Sequence, residues 1–159
     1  MFGVLDMPYI EKCIKRILTE KHIEFDEFQH EAVYTSEQAA SVRGYSSNEG
    51  IKSLIFRTDT GRFILVLNPG DKEVDTKTIT RMENVKQIHL AKPEEIQRVA
   101  GVPIGCVAPF GLKTELRTYL NKELLKNAYL YFNPGIHTKT IAIKATDLVN
   151  ILENPIQFT

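Results

Sequence analysis

Residues 50–71 read GIKSLIFRTDTGRFILVLNPGD, and this stretch decides the fold class. Ser53–Thr58 and Phe63–Asn68 are rich in β-branched and aromatic residues, a composition suited to a pleated, half-buried surface. Asp59-Thr60-Gly61 separates them, and the glycine can take the positive φ that a tight reversal needs. The pattern predicts an antiparallel hairpin followed by a strong turn at Asn68-Pro69-Gly70-Asp71. Lys52 stands at the mouth of its first strand.

Upstream, Ile10, Cys13, Ile14, Ile17 and Leu18 recur at helical spacing, with Glu11, Lys12, Lys15 and Arg16 between them. This predicts an amphipathic helix of about three turns after Pro8, with Cys13 on its core-facing stripe. Ile23–Phe28 places apolar side chains among acids and reads as a short strand. Thr35-Ser36-Glu37-Gln38 matches a capping box, ahead of a short helix through Ala39, Ala40 and Val42 that ends at Gly44.

Downstream of the hairpin, Asp75–Met82 reads as a helix, and Pro93 opens another that stops at Gly101. Residues 101–111, GVPIGCVAPFG, hold three glycines and two prolines, which predicts a shaped, rigid loop. Strands are predicted at Leu116–Leu120, Ala128–Phe132 and Thr140–Lys144, and Thr146 is placed as the cap of a last helix with Leu148, Val149, Ile151 and Leu152. Strands and helices mix without βαβ alternation. The expected fold is α/β of the α+β type: one domain over residues 1–159, with a mixed, mostly antiparallel, barrel-like sheet packed by several helices.

Composition narrows the function. The 159 residues are 43% hydrophobic and 25% charged, enough apolar material for one core without disulfides or structural metal. Twenty basic residues balance twenty acidic ones, which excludes a generally basic nucleic-acid coat. The balance is uneven along the chain: residues 1–50 carry five basic and nine acidic residues, and residues 51–159 carry fifteen and eleven. A nucleic-acid partner would therefore meet the later part, at Lys77, Arg81, Lys86, Lys113, Arg117 and Lys122. The two cysteines, Cys13 and Cys106, lack the spacing of a disulfide framework or a zinc site. No apolar run approaches the ~20 residues of a membrane span, and the first residues lack a secretory pattern, so the cytoplasm is the expected location.

The sequence has no GxxxxGK[ST], GxGxxG, HExxH or GxSxG. Three features remain: Lys52 at the strand mouth, the 101–111 loop, and Asn133-Pro134-Gly135-Ile136-His137, which puts an imidazole just before a strand. Singly they read as a solvated charge, a loop and a surface histidine.

Their order changes the reading. The first helix, Thr35-x-x-x-Ala39-Ala40, the Lys52 hairpin, Asn68-Pro69-Gly70-Asp71, Gly101-x-x-x-Gly105-x-x-x-Pro109-Phe110-Gly111 and Gly135-x-His137 together resemble the YbaK/prolyl-tRNA-synthetase-associated editing domain, from about Ile10 to Leu152. That resemblance implies hydrolysis of the ester joining a wrong amino acid to the 3′ end of a tRNA, by water attack, with no metal and no cofactor. The short chain, without synthetase modules, resembles the free-standing members that act in trans. Lys52 and His137 are then the candidate catalytic residues. Thr35, Ser53, Gly101, Gly105, Cys106, Val107, Ala108, Pro109, Phe110 and Gly135 are the candidate substrate contacts.

The implied partner is mischarged tRNA, with prolyl-tRNA synthetase as a further candidate and no membrane. The Gly-x-His segment is similar to that of alanine-clearing members, which favours Ala-tRNA(Pro); cysteine, serine and threonine esters are the alternatives, because one methylene discriminates by only ~1–3 kcal/mol. A catalytically weak tRNA- or synthetase-binding module and a hydrolase of small esters are the readings from other classes. One departure stands out: family members often carry an acid after the strand that follows the Phe-Gly loop, and Asn121 stands there instead.

Overall fold

The computed structural model describes residues 2–159. Helix α1 (Phe2–Glu20) buries Ile10, Cys13, Ile14 and Leu18, the stripe that its spacing marks out. It begins upstream of Pro8, not after it.

Strands β1 (Asp26–Gln29), β2 (Ile51–Thr58), β3 (Phe63–Pro69), β4 (Ile88–Leu90), β5 (Arg117–Asn121), β6 (Tyr129–Phe132), β7 (Lys139–Lys144) and β8 (Ile156–Phe158) form two sheets. One is antiparallel in the order β1-β7-β6; the other is mixed in the order β4-β2-β3-β5-β8. The β2–β3 hairpin pairs Lys52 with Asn68 and Ile55 with Leu65. β3–β5 and β5–β8 are parallel; the other pairs are antiparallel. The sheets meet at one parallel bridge, Gly50 to Tyr131, and do not close. A barrel needs a continuous ladder around the ring, so the barrel-like expectation is corrected to two abutting sheets.

Helix α2 (Ser36–Arg43) keeps half of the expected capping box: the Gln38 N–H donates to Thr35 Oγ1 at 3.0 Å. Gln38 Oε1 accepts from the N–H of Tyr34 and not of Thr35, and Gly44 ends the helix at φ 77°. Helix α3 (Thr76–Glu83) is capped by Asp75, and helix α4 (Pro93–Ala100) opens on its proline. Helix α5 (Ala145–Leu152) begins one residue before Thr146, which is not its cap. The Ala145 N–H donates instead to the Ala128 carbonyl at 3.0 Å, a partner supplied by the residue just before β6.

The pleat of β2 separates two cores. Ile55, with Leu65 and Leu67 of β3, packs under α1, while Phe56, with Ile64, Val66, Tyr119 and Phe158, packs against Ile79 of α3. Glu83 is buried under the second core because Arg62 and Arg117 each approach it at 3.0 Å and the Tyr119 hydroxyl donates to it.

Four charges fasten α1 over the first sheet. Glu11 lies 2.9 Å from Lys15 and 2.6 Å from Lys139, and Lys15 lies 2.7 Å from Glu27. Burial works against the Glu11 carboxylate, but hydrogen bonds from Lys139 and Lys15 outweigh it and hold its pKa below the ordinary value. Its contribution is therefore present above the usual carboxylate range and is lost as pH falls through the lowered value. In denaturant titrations across pH, Glu11→Gln should flatten the loss of stability below about pH 5. An acid limb equal to that of the wild type would show that the cluster does not hold α1 in place.

Candidate active site

A cleft of about 420 Å³ opens at the start of β2, between the α2 region and the 101–111 loop. Lys52, Ser53, Thr35, Gly105 and Val107 all line it. These five sequence-selected residues come together although they lie in three separate segments.

Lys52 and Ser53 occupy opposite pleats of one strand. Ser53 shares its face with Ile51 and Ile55, and its buried Oγ has no hydrogen-bond partner among the described residues. Lys52 lies across from Asn68, and its ammonium donates to the Lys72 carbonyl in the turn after β3. The Thr35 hydroxyl oxygen is engaged as the α2 cap.

Gly105 has φ +85°, a conformation open to glycine at little cost. A Cβ there would lie 3.2 Å from His137 Cε1, so the imidazole stands directly behind the loop. His137 Nδ1 lies 2.8 Å from the Val33 carbonyl oxygen, and its ring is 4.4 Å from that of Tyr34. A carbonyl only accepts, so Nδ1 is the donor in this contact. His137 thus backs the cleft through Gly105 and does not form its wall.

Six candidate contacts lie elsewhere. Cys106 and Ala108 are fully buried, while Gly105 and Val107 line the cleft. Phe110 packs edge-on against Phe132 at 5.3 Å, and with Pro109 it borders a different depression, beside Ile17 and Leu65. Gly101 ends α4 at φ 79°, where a Cβ would meet Lys113 at 3.1 Å. Gly135 backs onto Ile10, 3.0 Å from a Cβ position. These residues shape the loop from behind.

The sequence reading missed Tyr34, Tyr45, Ile104 and Tyr131, which also line the cleft. The Tyr45 and Tyr131 rings stack at 4.1 Å across the junction of the two sheets, a contact that no local pattern announces. Of the basic residues proposed to face nucleic acid, Arg117 is engaged by Glu83.

Burial pushes the Cys106 thiol up to about 12, so it is neutral at physiological pH and unsuited to attack. Cys106→Ala should therefore keep substantial activity, and the native thiol should resist iodoacetamide at pH 8 while reacting once the chain is unfolded. Rapid native alkylation, followed over time by mass spectrometry, would contradict this burial.

The model of the aminoacyl-tRNA editing domain family matches residues 30–151, and the chain belongs to that family. Proline–tRNA ligases of Bacillus and Caldicellulosiruptor species also match, but the chain spans only 17% to 25% of their length. It is 24% identical to the prolyl-tRNA editing protein ProX of Acetoanaerobium sticklandii, covering 94% of this chain and 93% of that one. It is 23% identical to the multifunctional Ser/Thr-tRNA deacylase ProXp-y of Escherichia coli, over 86% and 84%. A solved structure described as a candidate trans-editing enzyme for prolyl tRNA synthetase has the same fold, with TM-score 0.79 and 24% identity over 92% and 94% of the chains. No helix among the described residues is long and apolar enough to cross a membrane.

Proposed function

We propose that this cleft hydrolyses the ester of a mischarged aminoacyl-tRNA in trans, with the tRNA 3′ end entering between Tyr34 and the Lys52 margin. The observation that carries this reading is the convergence of Lys52, Ser53 and the positive-φ Gly105 on one cleft. An aminoacyl ester is already activated, so catalysis consists of placing water and meeting the charge that develops on the carbonyl oxygen. Lys52 supplies that charge. The Gly105 backbone, which lines the cleft at φ +85°, lies against the aminoacyl group. Behind the loop, His137, anchored through Nδ1 on the Val33 carbonyl, braces the Gly105 segment.

Ala-tRNA(Pro) is the leading substrate, in line with the prolyl-tRNA editing protein among the relatives. Serine and threonine esters are the second reading, in line with the Ser/Thr-tRNA deacylase among the relatives. A panel of Ala-, Ser-, Thr- and Cys-charged tRNA(Pro), assayed for ester cleavage with and without prolyl-tRNA synthetase, decides among them. Cleavage of none of these, with tight tRNA binding retained, would make the chain a binding module; equal cleavage of aminoacyl-adenosine and full tRNA would make it a small-ester hydrolase.

A further inference from the structure

At one level of the mixed sheet, three neighbouring strands carry Lys52, Asn68 and Asn121. Lys52 is opposite Asn68 in the β2–β3 register, and Asn121 follows Leu120, the parallel partner of Leu67. The pleat therefore puts all three on one face. Asn68 is fully buried, and Asn121 is 7% exposed.

Their amides form a directed chain. The Glu123 backbone N–H donates to Asn121 Oδ1 at 2.9 Å, Asn121 Nδ2 donates to Asn68 Oδ1 at 2.8 Å, and Asn68 Nδ2 donates to the Lys72 carbonyl at 2.9 Å. Lys52 Nζ donates to the same carbonyl. One end of the chain is a backbone N–H that only donates, and the other is a carbonyl that only accepts. Both ends impose the same orientation on the two amides, so neither side chain can be reversed without losing a bond.

We propose that Asn68 and Asn121 are positioning residues that set where the Lys52 ammonium stands, by holding the Lys72 carbonyl on which it docks. This rests on the reading of Lys52 as the charge that meets the ester. The Lys72 carbonyl belongs to the turn after β3, outside any ladder, and Asn68 reaches back to fasten it. One ammonium N–H is spent there and two are left for substrate.

The same chain accounts for the amide at position 121. A carboxylate there could only accept, so Asn68 would have to turn its Nδ2 toward it. Asn68 Oδ1 would then oppose the Lys72 carbonyl, acceptor against acceptor, and the dock would be lost. In this sheet an asparagine is the side chain that serves both neighbours.

The test uses the full chain with Asn121→Asp, which is isosteric, and Asn68→Ser, which shortens the relay, each alone and combined with Lys52→Ala. Thermal melts confirm folding, and either folded variant suffices. Two readouts are taken: steady-state deacylation, and reductive methylation of Lys52 by formaldehyde and a borohydride, followed by peptide mass spectrometry without tRNA. The expected result is a kcat about tenfold lower with KM within about twofold. No further loss should appear on the Lys52→Ala background, and Lys52 should methylate faster while Lys122 keeps its wild-type rate. Wild-type methylation of Lys52 in a folded variant overturns the relay, whatever the activity, and losses that add to Lys52→Ala overturn it as well by marking a merely structural role. If Lys52→Ala deacylates as well as wild type, the catalytic reading of Lys52 falls, and the methylation rates still decide whether the amides hold the ammonium.

Discussion

Replacing Lys52 by alanine is expected to slow deacylation of a mischarged tRNA by at least about 100-fold while leaving a cooperative melt, the scale of losing one preorganised charge donor. The side chain lies at a cleft margin and is not packed in either core, so the loss should fall on catalysis and not on stability. Lys52→Arg should rescue little. The ammonium docks end-on against one carbonyl, and a planar fork spreads its charge and its donors differently. Single-turnover cleavage of Ala-tRNA(Pro) and Ser-tRNA(Pro) is the measurement, and near-normal rates for Lys52→Ala would sink the mechanism.

The second large effect is expected at Gly105. Alanine there must hold φ near +85°, a strain of about 1–3 kcal/mol for a residue with a Cβ. The new methyl would sit 3.2 Å from His137 Cε1, tighter than an ordinary contact, so either the ring or the loop must give way. Because Gly105 is exposed and His137 only partly buried, the chain should still fold. Displacement of the loop by a fraction of an ångström should nevertheless cost roughly 10–100-fold in kcat. Gly135→Ala is the contrast: its methyl would meet Ile10 at 3.0 Å in the core, so it should lower the melting temperature first and activity only through unfolding. Full activity of Gly105→Ala would place the aminoacyl pocket elsewhere. Pro109→Ala should leave substrate selectivity unchanged, since Pro109 borders the other depression.

Much of this was legible from local chemistry. Thr35, Gln38 and Gly44 mark both ends of α2 because a cap and a left-handed stop depend on residues a few positions apart. The β2–β3 hairpin and the start of α4 at Pro93 are local in the same sense. The three-residue strands β4 and β8 passed unnoticed because three residues carry no readable alternation; they exist by pairing with β2 and β5. Thr146 was misplaced as a cap because the acceptor used at the start of α5 is a carbonyl far back in the chain.

At the site the division is sharper. The ordered motifs, through their resemblance to the editing-domain family, pointed to Lys52, the glycine-rich loop and His137 as the polar elements of the site. Which face of the loop meets the cleft depended on packing against α1 and the first core, and that put Gly105 and Val107 outside and Cys106 and Ala108 inside. The same holds for the Lys52 dock. Lysine and asparagine are readable as residue types, but a hydrogen bond has a direction, and the direction of this chain follows from which strands lie side by side and which backbone groups close its ends. Residue types and local turns are written along the chain. Burial and hydrogen-bond direction arise only when distant strands meet.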